Sequence, residues 1–125
     1  MADKKFYFVA GMPRSGSTLL CNILNQNPRF HATATSGVLD LLLLMRNNLE
    51  FILELKFLQD DKAKLRVLQS VLPSFYANVT KPIIFDKSRG WPAHIEMAEK
   101  LIGEKVKIIV PVRDVRDILS SFEKI

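Results

Sequence analysis

Apolar residues come as unbroken runs in some stretches and at helical spacing in others, and the points where one gives way to the other mark the elements. Phe6, Tyr7, Phe8, Val9 and Ala10 form a run rich in strand formers that Gly11 and Pro13 interrupt. From about Ser17 to Asn25 the positions Leu19, Leu20, Ile23 and Leu24 recur at helical spacing, and the polar cluster Asn25-Gln26-Asn27-Pro28 stops the helix. The chain opens as strand, tight loop, helix. Arg29 to Gly37, with His31, Thr33, Thr35 and Ser36, reads as a connecting loop.

Val38 to Leu58 is apolar almost all round, which predicts one helix that needs cover on both sides. A homodimer through this helix, 38–58, or a further part of the protein would supply the second cover. Asp60-Asp61 predict an N-cap for a helix from Lys62 to about Leu72, which Pro73 bends or restarts. Thr80-Lys81-Pro82 turns into the short buried strand Ile83-Ile84-Phe85. That strand ends in the densest polar cluster of the chain, Asp86-Lys87-Ser88-Arg89-Gly90-Trp91-Pro92. Pro92 opens a helix with Ile95, Met97, Ala98, Leu101 and Ile102 inward, and Gly103 closes it. Lys105 to Val112 predicts another strand with Arg113 at its end, and Asp114 and Asp117 can cap a last helix.

Strands alternating with helices imply an α/β fold: a three-layer parallel sheet of the P-loop type, flanked by helices and joined by right-handed crossovers. Ligands of such sheets bind at the carboxyl ends of the strands. The polar clusters at Arg14, Lys87 and Arg113 each follow a predicted strand, so they should converge on one edge.

Composition narrows the picture further. A chain of 125 residues, 48% hydrophobic and 25% charged, can form a single globular domain, 1–125, with a modest core. The net charge of +5 suits an anionic ligand, although a solvated basic surface gives the same number. Cys21 is the only cysteine, which excludes an internal disulfide and a cysteine-rich zinc cluster and predicts an inert buried thiol. Met1 to Lys5 has no signal-peptide character, and the most apolar stretch, Val38 to Met45, is too short to span a bilayer. We therefore expect a cytoplasmic protein without a membrane span or a nucleic-acid partner.

The candidate chemistry starts at the first loop. Gly11 and Gly16 frame backbone N–H groups that can converge on an anion, and the helix from Ser17 adds the positive end of its dipole. Against the nucleotide-binding pattern G-x-x-x-x-G-K-[ST], Gly11 to Thr18 matches both glycines and the final Thr18, but Ser17 replaces the lysine. The fixed charge sits inside the loop, on Arg14.

Pro13-Arg14-Ser15-Gly16-Ser17-Thr18-Leu19-Leu20 resembles the 5′-phosphosulfate loop of sulfotransferases that use 3′-phosphoadenosine-5′-phosphosulfate (PAPS), especially the Pro-Arg-Ser-Gly-Thr-Thr branch that includes the tyrosylprotein enzymes. Val112 to Ser121 is similar to the family's 3′-phosphate motif, with Arg113 and Ser121 on its Arg and Ser. The resemblance implies a sulfuryl transfer from PAPS, without a metal, to a small-molecule, carbohydrate or peptide acceptor. It places Arg14, Ser15, Gly16, Ser17 and Thr18 on the 5′ end of the donor, Lys87 on the bridging oxygen, and Arg113 with Ser121 on the 3′-phosphate. Eight residues apart on a helix, the last two would lie ~12 Å apart along its axis, so Arg113 should act from the strand end. Family members usually continue well past this motif, so the chain looks like the N-terminal part of a longer fold.

The general base departs from the family pattern. Arg89 stands where the cytosolic branch has a histidine, and no glutamate lies around Ala34 and Thr35, where the tyrosylprotein branch has one. Asp86, His31, Asp40 and His94 remain as candidates, with Asp86 at its strand end the first choice. Two other functions compete with this reading. One is a P-loop kinase-like phosphotransferase, disfavoured by Ser17 in the lysine position. The other is an inactive anion-binding or dimerisation module.

Overall fold

The computed structural model describes residues 3–11, 16–32 and 34–123. Strand β1 (Lys5–Val9) leads to helix α1 (Ser17–Leu24), then β2 (Phe30–Ala32), α2 (Val38–Asn48), α3 (Leu53–Leu58) and α4 (Asp61–Phe75). Strand β3 (Ile83–Lys87), helix α5 (Ile95–Ile102), β4 (Ile108–Ile109) and α6 (Val115–Glu123) complete the order. The four strands form one parallel sheet in the order β2-β3-β1-β4.

This order dictates the layers. From β1 the chain moves outward past β3 to reach β2, whereas from β2 to β3 and from β3 to β4 it moves the opposite way. Crossovers of one hand then put α1 on one face of the sheet and α2, α4 and α5 on the other. Packing agrees. Phe8 and Ile84 face Val38, Leu39, Leu42, Leu72, Ala98 and Leu101, while their neighbours Val9 and Phe85 pack with Cys21 and Ala32. The alternation of side chains along a strand separates the two sets. Phe8 and Trp91 are both fully buried with ring centroids 4.2 Å apart, a pair worth about 0.5–1.5 kcal/mol beyond the area it buries.

Four boundaries differ from the sequence reading, each for a local reason. The expected single helix 38–58 is broken: a 3-10 turn at Leu49–Phe51 follows α2, and Ile52 is extended before α3. Asn48 contributes, because its side-chain amide donates to the Leu44 carbonyl at 2.7 Å and competes with the backbone ladder. The expected loop 29–37 contains β2, three residues long and too short for alternation to be visible in sequence. The strand expected over 105–112 shortens to Ile108–Ile109, which bonds β1 through Phe8 N–H to the Lys107 carbonyl (3.1 Å) and Ala10 N–H to the Ile109 carbonyl (2.9 Å). Helix α4 carries Pro73 within its last turn and runs on to Phe75, and its expected cap holds, with Asp60 Oδ1 accepting from Ala63 N–H at 2.9 Å.

Among the described residues, only one side of the 38–58 stretch is covered. Val38, Leu39 and Leu42 are buried, whereas Leu44, Phe51 and Phe57 face outward, Phe51 with 82% of its surface exposed. Among the described residues, no helix is long and apolar enough to cross a membrane.

Candidate functional site

Because all strands run parallel, the segments after β1, β3 and β4 leave the sheet at one edge. The register pairs Val9 with both Lys87 and Ile109, so Gly11, Lys87 and the turn towards Arg113 start from the same level. Gly16 caps α1 with φ +99°, a left-handed backbone that costs an L side chain roughly 1–2 kcal/mol. That turn aims the first amides of α1, which have no partner inside the helix, at the sheet edge. A cavity of about 250 Å³ lies there, lined by Gly16, Ser17, Thr18, Arg113 and Ser121. The structure thus gathers around one space the described part of the first motif and both named residues of the second. Arg14 and Ser15 lie outside the described residues.

A larger cleft of about 500 Å³ adjoins this cavity through Ser17 and Thr18, which line both. Its other walls include Thr35, Asp40, Lys87 and His94. The Lys87 ammonium donates to Thr18 Oγ1 at 3.1 Å, which fixes the lysine beside the start of α1. Helix α1 and β3 therefore share one polar contact at the mouth of the site.

Asp86 lies elsewhere. One residue before Lys87 on an alternating strand, it points to the opposite face, into the core with Phe8 and Ile84, and it has no exposed surface. Its carboxylate accepts from Ser36 Oγ at 2.5 Å, from the Tyr76 hydroxyl and from Trp91 Nε1 at 2.9 Å. This placement counts against Asp86 as the base: it has no exposed surface and does not line the cleft. Burial pushes its carboxyl above the usual range, and the three hydrogen bonds act in the opposite direction. Tyr76 is raised in turn by burial and by the neighbouring carboxylate.

What Asp86 does is join the walls. Ser36 also accepts from Val38 N–H at 3.1 Å, so the start of α2, with Thr35 on one side and Asp40 on the other, hangs from this carboxylate. Trp91 anchors the turn of Ser88, Arg89 and Gly90, and Gly90 N–H bonds Ser88 Oγ at 3.3 Å. Tyr76 ties in the end of α4. Ser36 and Tyr76 carried no signal in the sequence, since they meet Asp86 only across 50 and 10 residues. The inward position of Asp86 was readable from its shared parity with Ile84.

The other candidates separate clearly. His31 sits in β2 with its ring edge-on to Tyr76, centroids 5.8 Å apart, and burial followed by the Lys81 charge lowers its pKa. Asp40 and His94 line the cleft, as does Arg89. Arg116, next to the second motif, pairs with Asp114 at 3.2 Å on the exposed surface. Cys21 is buried, and its thiol is raised by that burial, partly offset by the Lys87 charge. Among the described residues no three His, Cys, Asp or Glu side chains come together as a metal site.

A family model described as the sulfotransferase family matches residues 7–125. The chain belongs to the sulfotransferase family. No curated protein matches it. For a sulfotransferase, the arrangement amounts to a trench: a basic cavity at Arg113, a helix start at Ser17 and Thr18, and a cleft with a fixed lysine at Lys87. Such a trench can hold an elongated anion at two points and bring a second molecule up to one end of it.

Proposed function

We propose that the chain transfers a sulfuryl group from PAPS to an acceptor hydroxyl or amine. The observation that carries this reading is the cavity in which Arg113 and Ser121 meet Gly16, Ser17 and Thr18. A donor with a phosphate at each end of its ribose needs two anion sites joined by one space. The left-handed Gly16 turn and the Arg113 guanidinium suit those two ends.

When bound, PAPS supplies an electrophilic sulfuryl group on a phosphate leaving group. The Ser17 and Thr18 amides and hydroxyls hold the 5′-phosphate, together with Arg14 of the same loop. Arg113 and Ser121 hold the 3′-phosphate. Lys87, steadied by Thr18, presents its ammonium to the bridging oxygen, where negative charge grows as the bond to sulfur breaks. His94 accepts the acceptor's proton on a ring nitrogen, because among the described titratable residues of the cleft it alone also borders the neighbouring groove from which an acceptor can enter. Asp86 positions the walls without touching a substrate.

Calorimetric titration tests this reading. We expect 3′-phosphoadenosine-5′-phosphate to bind more tightly than ATP with magnesium. A preference for ATP with magnesium would replace the proposal with a kinase-like phosphotransferase, and no binding of either would leave an inactive module.

A further inference from the structure

A second cavity, of about 510 Å³, lies on the face of the sheet that carries α2, α4 and α5. Its apolar lining includes Leu65 and Leu68 of α4 and Met97 and Leu101 of α5. Arg46, Lys100, Glu96 and His94 are its charged or titratable members. His94 lines this groove and the Lys87 cleft alike, so the two spaces adjoin there. The volume falls in the range of pockets that enclose a small organic molecule, roughly 300–1,000 Å³.

Arg46 makes specific contacts in this lining. Arg46 Nη1 lies 3.5 Å from the Met97 thioether, and Arg46 Nε is 3.3 Å from Asn47 Oδ1. A thioether is a weak acceptor that does not neutralise a guanidinium. Among the described residues the ion pairs are Lys64 with Asp61 and Arg116 with Asp114, so neither Arg46 nor Lys100 is matched to a carboxylate. The apolar lining is thus joined by two cations, Arg46 and Lys100, and one acid, Glu96. The planar fork of Arg46 fits a carboxylate or sulfate on two points.

We propose that this groove holds the body of the acceptor, and that the acceptor is an amphipathic anion: an aromatic or alkyl body with a carboxylate or sulfate at one end and the reacting hydroxyl or amine at the other. The body lies on Leu65, Leu68 and Met97, the anionic end meets Arg46 with Lys100, and the hydroxyl passes His94 towards Lys87. This rests on the sulfotransferase reading above and adds to it the acceptor class.

Binding can be followed without the donor. The protein is labelled at its methionine methyls, the Met97 signal is assigned with Met97→Leu, and three phenols are titrated: 3-(4-hydroxyphenyl)propionate, neutral 4-propylphenol and cationic tyramine. The propionate should shift the Met97 signal saturably and bind ~10-fold more tightly than the neutral phenol, the worth of one charge-assisted contact. Arg46→Gln should reduce it to the neutral level while the affinity for 3′-phosphoadenosine-5′-phosphate stays unchanged. In a transfer assay the same variant should raise KM for the propionate and leave kcat alone. Equal binding of all three phenols, no Met97 shift at millimolar propionate, or an unaffected Arg46→Gln would each overturn the inference. Failure of the bisphosphate to bind, with the propionate still on Met97, would sink the donor assignment and leave the groove as a site for amphipathic anions.

Discussion

Removing one oxygen from the buried Asp86 network is the sharpest perturbation of the frame that holds the site. Tyr76→Phe keeps the ring, which packs among the core residues, and deletes only the hydroxyl that donates to Asp86. Tyr76 is 5% exposed and Asp86 has no exposed surface, so water does not readily replace the lost donor. A hydrogen bond to a charged group contributes about 1.5–3 kcal/mol. For a chain of this size that corresponds to a fall in Tm of roughly 5–15 °C. The pH dependence has a definite sign. In wild type, burial raises the Asp86 carboxyl, so its contribution to stability is fully present below its unfolded pKa and is lost as pH rises through the folded value. Without the Tyr76 donor the folded pKa rises further, and the variant loses more over that window. The gap between the two proteins should therefore be small near about pH 4 and widen towards about pH 7. Urea unfolding followed by fluorescence of Trp91, the single tryptophan and itself a partner of Asp86, measures both quantities. A variant within about 0.5 kcal/mol of wild type throughout, or a gap that narrows as pH rises, would refute the reasoning.

Other expectations follow from individual residues. Lys87→Met should lower kcat roughly 10²- to 10³-fold, as loss of a transition-state donor does, with little change in calorimetric affinity for 3′-phosphoadenosine-5′-phosphate. Gly16→Ala should cost about 1–2 kcal/mol in Tm-derived stability and weaken that nucleotide. The cause is the φ of +99° rather than a clash, since an added Cβ meets nothing within 4 Å among the described residues. His94→Gln should reduce kcat roughly 10²- to 10⁴-fold and spare nucleotide affinity, whereas an unchanged kcat would return the base to Asp40. Cys21 should resist iodoacetamide at neutral pH and react quickly only in urea, because burial raises its thiol and hides it; rapid labelling of the folded protein would contradict this.

The layers and the parallel sheet were legible in the order of apolar runs and breakers, because the unbroken apolar runs of β1 and β3 and the helical spacing of α1 and α5 are strong. The short strand β2 was not, since three residues at Phe30–Ala32 owe their pairing to a neighbouring strand rather than to their own pattern, and β4 was expected but over 105–112 instead of Ile108–Ile109. The break near Ile52 was hidden because apolar residues recur on almost every helical face of 38–58. At the site, motif spacing placed Ser17, Thr18, Lys87, Arg113 and Ser121 near one edge. It put Asp86 first among the candidate bases for its place at a strand end, whereas the alternation of strand residues turns it away from Lys87 and into the core. Ser36 and Tyr76 reach Asp86 through tertiary structure alone, and no local signal announces such partners.

The account turns on Arg113 reading a 3′-phosphate while the Gly16 turn holds the 5′ end of the same nucleotide. The direct measurement compares 3′-phosphoadenosine-5′-phosphate with adenosine 5′-monophosphate by calorimetry, in wild type and in Arg113→Ala. Wild type should prefer the bisphosphate roughly 10- to 100-fold, the worth of charge-assisted hydrogen bonds of about 1.5–3 kcal/mol, and Arg113→Ala should erase the preference while still binding the monophosphate. A wild type indifferent to the 3′-phosphate, or a variant that weakens both nucleotides equally, would contradict it.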